Sequence, residues 1–268
     1  MRDDEPEHLR ALCARLAGEA AEVADAMRAE AVTSVHTKSS RTDVVTAADT
    51  AAERLLRTRL AAERPGEPVL GEEAGRDRSP APGELCWVVD PIDGTVNYLY
   101  GYPWYAVSVA VTRDGGALAG AVVEPSSGRV WSAALGHGAT VDGAPLRVSA
   151  ADRLDLALIG TGFSYDAERR GRQGALAAAL LTRVRDIRRA GSAALDLCAV
   201  AAGWLDGYYE HGINPWDWAA GALIATEAGA VVRPPDPDAP YGEAMLAAAP
   251  GVADGLGALL TELGAARV

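Results

Sequence analysis

The spacing of apolar residues changes twice along the chain, and this restricts the folds that it can adopt. In residues 7–30 and 48–63 apolar residues recur every three or four positions, which predicts two amphipathic helices. Four short β-rich segments follow, at 85–90, 105–112, 118–124 and 129–134, and glycine-containing turns separate them. Such a run predicts an antiparallel meander.

After about residue 150 strand-like and helix-like segments alternate. Strands are predicted at 156–161, near Ile187, at 205–210, near Val231 and at 245–249. Helices are predicted at 174–184, 192–202 and 216–228, with a closing helix after Pro250. We therefore expect a layered α+β architecture with two sub-domains, residues 1–149 and residues 150–268.

Charge and cysteine content exclude several classes of protein. The 268 residues include 25 basic and 37 acidic ones, a net charge of −12, which argues against nucleic-acid binding by general electrostatic attraction. The three cysteines are far apart and form no CxxC, so neither a disulfide framework nor a zinc site is predicted. No segment is typical of a secretion signal or a membrane span, and we expect a cytoplasmic protein with no membrane role.

One basic residue departs from the composition. All basic residues but one are arginine, and the exception is Lys38. A position that keeps lysine in such a chain is a candidate for a site that needs a compact ammonium group, although chance explains a single exception equally well.

The segment Trp87–Thr95 (WVVDPIDGT) places two carboxylates, Asp90 and Asp93, at the end of an apolar strand. Carboxylates this close repel one another unless they are protonated or bridged by a cation, and oxygen ligands favour Mg²⁺ or Mn²⁺. Gly94 and Thr95 would begin the next segment with backbone N–H groups available to an anion. The residues by themselves leave open a metal site and a solvated acidic loop.

Two further acidic segments are candidates to converge on this turn. Glu72 and Glu73 follow the apolar pair at 69–70 at a probable strand end, and Asp217 lies in the first turn of a predicted helix. Taken singly, Glu72 is as consistent with a surface charge, and Asp217 with an ordinary helix N-terminal acid.

Taken together, the order and spacing of these segments resemble the inositol monophosphatase family of metal-dependent, often lithium-sensitive phosphatases. The matching segments are Lys38–Ser40, Asp43–Asp49, Gly71–Glu73, Asp90–Thr95, Gly191–Ala194, Tyr208–Glu210, Trp216–Asp217 and Glu227–Gly229. The resemblance covers roughly residues 8–250 and implies the layered α-β-α-β-α sandwich shared with fructose-1,6-bisphosphatase.

The resemblance implies a set of metal ligands. Glu72, Asp90 and the backbone carbonyl of Ile92 would hold one Mg²⁺, and Asp90, Asp93 and Asp217 a second. A third, weaker ion would depend on Glu72, and Mn²⁺ is a possible substitute for Mg²⁺.

It also implies a mechanism, in which metal-activated water attacks phosphorus directly and no phosphoenzyme forms. Asp49 and Thr95 match the groups that orient the attacking water. The phosphate would lie against Gly94 and Thr95, and Lys38 matches the active-site lysine of the family.

Substrate recognition is implied by a third set of residues. Glu210 matches the residue that binds inositol hydroxyls, and a polyol monophosphate, above all inositol 1-phosphate, is the expected substrate. Related enzymes act on histidinol phosphate, fructose 1,6-bisphosphate or phosphoadenosine phosphate, so these remain alternatives. The full implied set of substrate contacts is Asp93, Gly94, Thr95, Gly191, Ser192, Ala193, Glu210 and Asp217.

Two other features bear on function. A bisphosphate would need a second basic pocket, for which Arg169, Arg170 and Arg172 are the local candidates, although a solvated face is the more common role of such a run. A regulatory binding protein on the same scaffold is the alternative of another class, and the resemblance also implies a homodimer.

Overall fold

The computed structural model of the protein describes residues 5–35 and 47–268. Its helices within these ranges are α1 (Pro6–Val35), α2 (Ala47–Glu63), α3 (Thr95–Leu99), α4 (Ala167–Leu180), α5 (Ala193–Ala201), α6 (Pro215–Glu227) and α7 (Pro250–Glu262). Its strands are β1 (Val69–Gly71), β2 (Gly75–Arg76), β3 (Leu85–Asp93), β4 (Ala106–Arg113), β5 (Gly116–Glu124), β6 (Arg129–Ala134), β7 (Ala139–Val141), β8 (Ala144–Pro145), β9 (Leu158–Thr161), β10 (Asp186–Arg188), β11 (Gly207–His211), β12 (Val231–Arg233) and β13 (Ala244–Ala248).

The strands form two sheets. The first has the order β2-β1-β3-β4-β5-β6-β7-β8, in which only the β1–β3 pair is parallel. The predicted meander is its centre, because β3 to β6 pair in chain order. The second has the order β10-β9-β11-β13-β12, with parallel pairs on either side of β9 and antiparallel pairs beyond β11.

Helices cover both faces of each sheet. One apolar cluster joins α1 and α2 to one face of the first sheet, through residues such as Leu16, Leu56 and Val109. A second joins the opposite face to α5 and α6, which also contact the second sheet. A third joins the far face of the second sheet to α4 and α7. The layers thus follow the order α-β-α-β-α, which confirms the expected α+β sandwich.

The sequence prediction was wrong about the position of one helix. Residues 174–184 were expected to be helical, whereas α4 covers Ala167–Leu180. Asp166 caps its N-terminus by accepting a hydrogen bond from the backbone N–H of Arg169, a start signal that the apolar spacing did not reveal. The strand end expected after residues 69–70 is β1, whereas the short β2, β7, β8 and α3 were not predicted, since two to five residues carry too little periodicity.

The two sheets use successive parts of the chain, residues 69–145 and 158–248. Helices α5 and α6 belong to the second part, yet they pack against both sheets. A division into sub-domains at residues 149 and 150 therefore stays a prediction. None of the described helices is long and apolar enough to cross a membrane.

Candidate active site

An irregularity in strand pairing brings Asp90 and Asp93 together. Asp90 pairs with Ser108 of β4, but Asp93 pairs with Ala106, so β3 contains one extra residue between the two carboxylates. In a regular strand residues three apart point to opposite faces, and a bulge with one extra residue returns the second to the same side. Pro91 lies within this bulge, where its missing N–H costs no ladder hydrogen bond.

Asp93 is held by the N-terminus of α5. Its carboxylate accepts hydrogen bonds from the Ser192 hydroxyl (2.5 Å), the Ala194 N–H (2.7 Å) and the Ala193 N–H (3.3 Å). The Ser192 hydroxyl also accepts a bond from the Leu195 N–H, so Ser192 both caps α5 and positions Asp93. This arrangement fixes a buried carboxylate that is 8% exposed.

Asp217 reaches the same place from the start of α6. Its carboxylate accepts a hydrogen bond of 2.5 Å from the Asn214 N–H, which restrains the side chain within the first helical turn. Oxygen atoms of Asp90, Asp93 and Asp217 lie within 4.8 Å of one another. The first sheet and two helices thus converge on one group of three carboxylates.

Glu72 lies on the turn between β1 and β2, and Glu53 of α2 holds that turn. The buried Glu53 carboxylate accepts hydrogen bonds from the backbone N–H groups of Glu73 (2.8 Å) and Ala74 (3.1 Å). A Cβ at Gly71 would lie 2.6 Å from this carboxylate, so glycine allows the close approach. Sequence analysis did not identify Glu53, because an acid in the middle of an amphipathic helix carries no signal of its own.

The pKa values of these carboxyls are raised, chiefly by burial. Burial and repulsion by Glu72 and Asp93 raise the pKa of Asp90 well above its ordinary value, and burial and Asp93 do the same for Asp217. Burial raises the pKa of Asp93 to about 6, although the three hydrogen bonds oppose the shift. Desolvation by the surrounding residues, with repulsion from other acids, also raises the pKa of Glu72 to about 7, although the residue is exposed.

The turn after β3 is fixed by backbone geometry. Gly94 has φ of +94° and is the N-cap of α3, and a Cβ there would lie 3.0 Å from the Gly191 carbonyl oxygen. The Thr95 hydroxyl donates a hydrogen bond of 3.1 Å to the carbonyl of Ile92. The Asn97 side chain donates to the carbonyls of Trp104 (2.7 Å) and Ala190 (2.8 Å), which ties the turn to the segment before α5.

A cavity of about 250 Å³ lies between the two sheets at this point. Ten of the residues predicted from the sequence line it: Glu72, Asp90, Ile92, Asp93, Gly94, Thr95, Gly191, Ala193, Glu210 and Asp217. Ser192 is buried beneath Asp93 instead. Asp49 does not line the cavity, but it is buried at the start of α2 and raises the pKa of Glu72 and Asp90. Lys38 lies outside the described residues.

Eight other residues that line the cavity were not identified by sequence analysis. They are Phe163, Ser164, Tyr165, Arg189, His211, Gly212, Ile213 and Asn214. Burial lowers the pKa of His211, so Arg189 is the only lining residue in the described chain with a permanent positive charge. In the sequence, Arg189 is distinguished only by its position just before the Gly191 turn. Arg188 has nearly the same position, but its guanidinium pairs with Asp186, so sequence position alone does not separate the two arginines.

The arginine run at 169–172 does not face the cavity. Arg169 pairs with Glu243 and Arg172 with Glu168. Arg170 donates to the backbone carbonyls of Ser164 and Tyr165, and so supports the segment that carries Tyr165. The prediction of a solvated face is therefore incomplete, because Arg170 has a structural role. A second basic pocket would require these arginines to line the cavity, and none of the three does.

The cluster of three carboxylates, Asp90, Asp93 and Asp217, fits a hard divalent cation. Its ligand atoms are all oxygen, they converge within 4.8 Å, and two of its three members are buried. Mutual repulsion that raises pKa values is the condition that a bound cation relieves. The residues present are thus suited to a metal of the Mg²⁺ or Mn²⁺ type.

Comparison with known proteins agrees with this arrangement. The inositol monophosphatase family model matches residues 5–266. The chain belongs to the inositol monophosphatase family. This family acts on phosphate monoesters, and membership explains why acidic residues from distant segments converge.

Three similar proteins illustrate the range of the family. A Mycobacterium leprae inositol-1-monophosphatase is 53% identical over an alignment of 281 positions, gaps included. The alignment covers 96% of this chain and 95% of that protein. The structure of Mycobacterium tuberculosis SuhB superposes with a TM-score of 0.85 at 47% identity, covering 98% of this chain and 100% of that one. A Vibrio cholerae protein named Nus factor SuhB is 37% identical and covers 73% of each chain.

Proposed function

We propose that this protein hydrolyses the phosphate monoester of a small polyol, with inositol 1-phosphate as the substrate and Mg²⁺ as the cofactor. The convergence of Asp90, Asp93 and Asp217 beside a cavity that also contains Glu210 is the observation that carries the proposal. The similarity to proteins named inositol-1-monophosphatase supports the choice of substrate.

Two or three cations would be held by Glu72, Asp90, the Ile92 carbonyl, Asp93 and Asp217. When bound, they would supply the positive charge that neutralises the phosphate and increases the acidity of water. The chain's own contribution is to hold these carboxylates in fixed positions, through the bulge in β3, the N-terminus of α5 and the first turn of α6.

Thr95 and Asp49 are proposed to orient the attacking water. The Thr95 hydroxyl hydrogen is directed to the Ile92 carbonyl, so its oxygen remains an acceptor for a water O–H. Asp49 is 1% exposed and close enough to influence the pKa of Glu72. The backbone N–H groups at Gly94 and Thr95 are proposed phosphate contacts, and Lys38 is proposed to supply a point charge near the metal and water cluster.

The leaving group would face the second sheet. Glu210 is proposed to accept hydrogen bonds from polyol hydroxyls, beside Gly191 and Ala193. A bisphosphate is disfavoured, because its second phosphate would meet Glu210 and a single arginine, Arg189.

Phosphate release from four substrates tests the proposal. Inositol 1-phosphate, histidinol phosphate, fructose 1,6-bisphosphate and phosphoadenosine phosphate are compared with Mg²⁺, with Mn²⁺ and with chelator. We expect metal-dependent turnover with the highest kcat/KM on inositol 1-phosphate. A higher value on any of the other three would contradict the assignment of inositol 1-phosphate as the substrate.

A regulatory binding protein is the second candidate, and the relative named Nus factor SuhB favours it. Metal-independent binding of a macromolecular partner, with no phosphate release from any of the four substrates, would support this candidate. The net charge of −12 makes direct binding of a nucleic acid the less favourable form of it.

Three further proposals rest on the sequence, and the first and last of them rest on the family resemblance alone. They are a homodimer, cytoplasmic location and inhibition by lithium. Sedimentation equilibrium, cell fractionation and a lithium titration of the Mg²⁺-dependent activity test them separately.

A further inference from the structure

Two glycines of β9 and its continuation leave space for two side chains of β11. The strands are parallel, with Tyr208 opposite Gly160 and Tyr209 opposite Thr161. Continuing this register by one residue brings Glu210 beside Gly162. Since side chains alternate along a strand, Tyr208 and Glu210 share one face with Gly160 and Gly162.

The contact between Glu210 and Gly162 admits no side chain. A Cβ built on Gly162 would lie 2.0 Å from Cδ and from both carboxylate oxygens of Glu210. The carboxylate therefore lies directly over the Gly162 Cα. At Gly160 a Cβ would lie 2.8 Å from Leu205 and 3.3 Å from the Tyr208 ring, so the second glycine accommodates the tyrosine.

Tyr208 orients one oxygen of this carboxylate. Its hydroxyl donates a hydrogen bond of 2.7 Å to Oε2 of Glu210, and the tyrosine is fully buried. Burial raises the pKa of Tyr208, so the hydroxyl stays protonated and serves as a donor. Within the described chain this is the one hydrogen bond that the Glu210 side chain receives, which leaves Oε1 for another donor.

We propose that Tyr208, with Gly160 and Gly162, positions the Glu210 carboxylate so that Oε1 accepts a hydroxyl of the leaving group. Tyr208 is a positioning residue, because it acts through Glu210 and does not line the cavity. A hydroxyl-rich leaving group is the class that this arrangement recognises. The inference rests on the proposed function, in which Glu210 faces the polyol.

The chain offers a matched control on the same strand. Tyr209 is also buried, but it packs in the cluster on the other face of the second sheet, away from Glu210. Tyr208→Phe and Tyr209→Phe therefore each remove a buried hydroxyl from adjacent positions, and only the first removes a bond to Glu210. Gly171 gives a similar control for Gly162, since a Cβ there would meet nothing within 4 Å.

The experiment measures KM and kcat on inositol 1-phosphate and on p-nitrophenyl phosphate, whose leaving group has no hydroxyl to be recognised. We expect Tyr208→Phe to raise KM for inositol 1-phosphate about 5- to 10-fold, with kcat nearly unchanged and p-nitrophenyl phosphate unaffected. Gly162→Ala is expected to give a larger rise, and Tyr209→Phe and Gly171→Ala none.

A double variant separates positioning from general stability. If Tyr208 acts through Glu210, Tyr208→Phe has no further effect in a Glu210→Ala background, which removes every acceptor for the Tyr208 hydroxyl at this position. Equal effects of Tyr208→Phe and Tyr209→Phe, or full additivity in the double variant, would overturn the inference.

Failure of the proposed function gives a different result. In that case wild-type protein does not turn over inositol 1-phosphate, whether or not it turns over p-nitrophenyl phosphate. A crystal structure of Tyr208→Phe then decides the positioning role without turnover. A Glu210 carboxylate displaced from Gly162 supports the role, and an unmoved one overturns it.

Discussion

The two walls of the cavity hold their carboxylates in different ways. On the first wall Asp90, Asp93 and Asp217 crowd within 4.8 Å, and their pKa values are raised by burial and, for Asp90 and Asp217, by mutual repulsion. On the second wall Glu210 is a single carboxylate with one tyrosine donor, and burial raises its pKa to about 7.

This difference separates two chemical tasks. A crowded group of carboxylates is stable in its charged form only with a cation, and so it suits chemistry common to any phosphate monoester. A single positioned carboxylate recognises hydrogen-bond donors, and so it suits discrimination among leaving groups. Changes on the first wall should therefore reduce turnover of every substrate, and changes on the second should depend on the substrate.

The largest effect is expected for Asp93→Asn on the first wall. The substitution keeps the side-chain shape but removes one negative charge from the cluster of three carboxylates. We expect kcat to fall by at least roughly 10²-fold on inositol 1-phosphate and p-nitrophenyl phosphate alike, measured by product release. Asp152→Asn, at an exposed position, serves as the control, and a loss restricted to inositol 1-phosphate would break the distinction between the walls.

Glu210→Gln on the second wall should have a smaller and selective effect. The amide retains one acceptor oxygen but loses the charge that strengthens a hydrogen bond from a hydroxyl. We expect kcat/KM for inositol 1-phosphate to fall about 10-fold, with p-nitrophenyl phosphate changed less than about twofold. A parallel loss on both substrates would assign Glu210 to the common chemistry instead.

Glu53→Gln tests the support of the first wall. Loss of the charge should weaken the bonds to the Glu73 and Ala74 N–H groups and loosen the turn that carries Glu72. We expect the Mg²⁺ concentration for half-maximal activity to rise about 10-fold, with kcat nearly restored at saturating Mg²⁺. Glu63→Gln in the same helix, where the acid pairs with Arg15 at the surface, should leave that concentration unchanged.

The smallest effect is a change in thermal stability with pH. Folding raises the pKa of Asp93 to about 6 and that of Glu72 to about 7, against about 4 in an unfolded chain. The unfolded chain releases these protons first, so the stability that the protonated carboxyls confer is complete below about pH 4 and is lost as the pH rises to about 7.

In chelator, we therefore expect the unfolding temperature to fall by several degrees from about pH 5 to about pH 8. Saturating Mg²⁺ should cancel the fall, because it binds the deprotonated carboxylates of the folded state. Calorimetry at both pH values, with and without Mg²⁺, measures the effect. An unfolding temperature that rises over this range in chelator would contradict the raised pKa values of Asp93 and Glu72.

Much of the fold could be predicted because its central elements are long and periodic. Helix α2 was expected at 48–63 and covers 47–63, and β6 was expected and found at 129–134. Helix α4 was misplaced, because its first turns contain polar residues that are ordered by the Asp166 cap rather than by apolar spacing. The candidate site was predicted from motif resemblance, whereas Glu53 and Arg189 belong to no recognisable motif.

By itself the sequence determined which residues have chemistry to offer, since carboxylates in the segments at 72, 90–93, 210 and 217 are local facts of the chain. Only the tertiary structure decided how they are divided. The bulge in β3 brings Asp90 and Asp93 to the same side of the strand. The contacts of Asp93 with α5 and of Glu210 with Gly162 join residues that are distant in sequence. Packing sets these distances, and the electrostatic interactions that distinguish the two walls depend on distance and burial rather than on the order of residues.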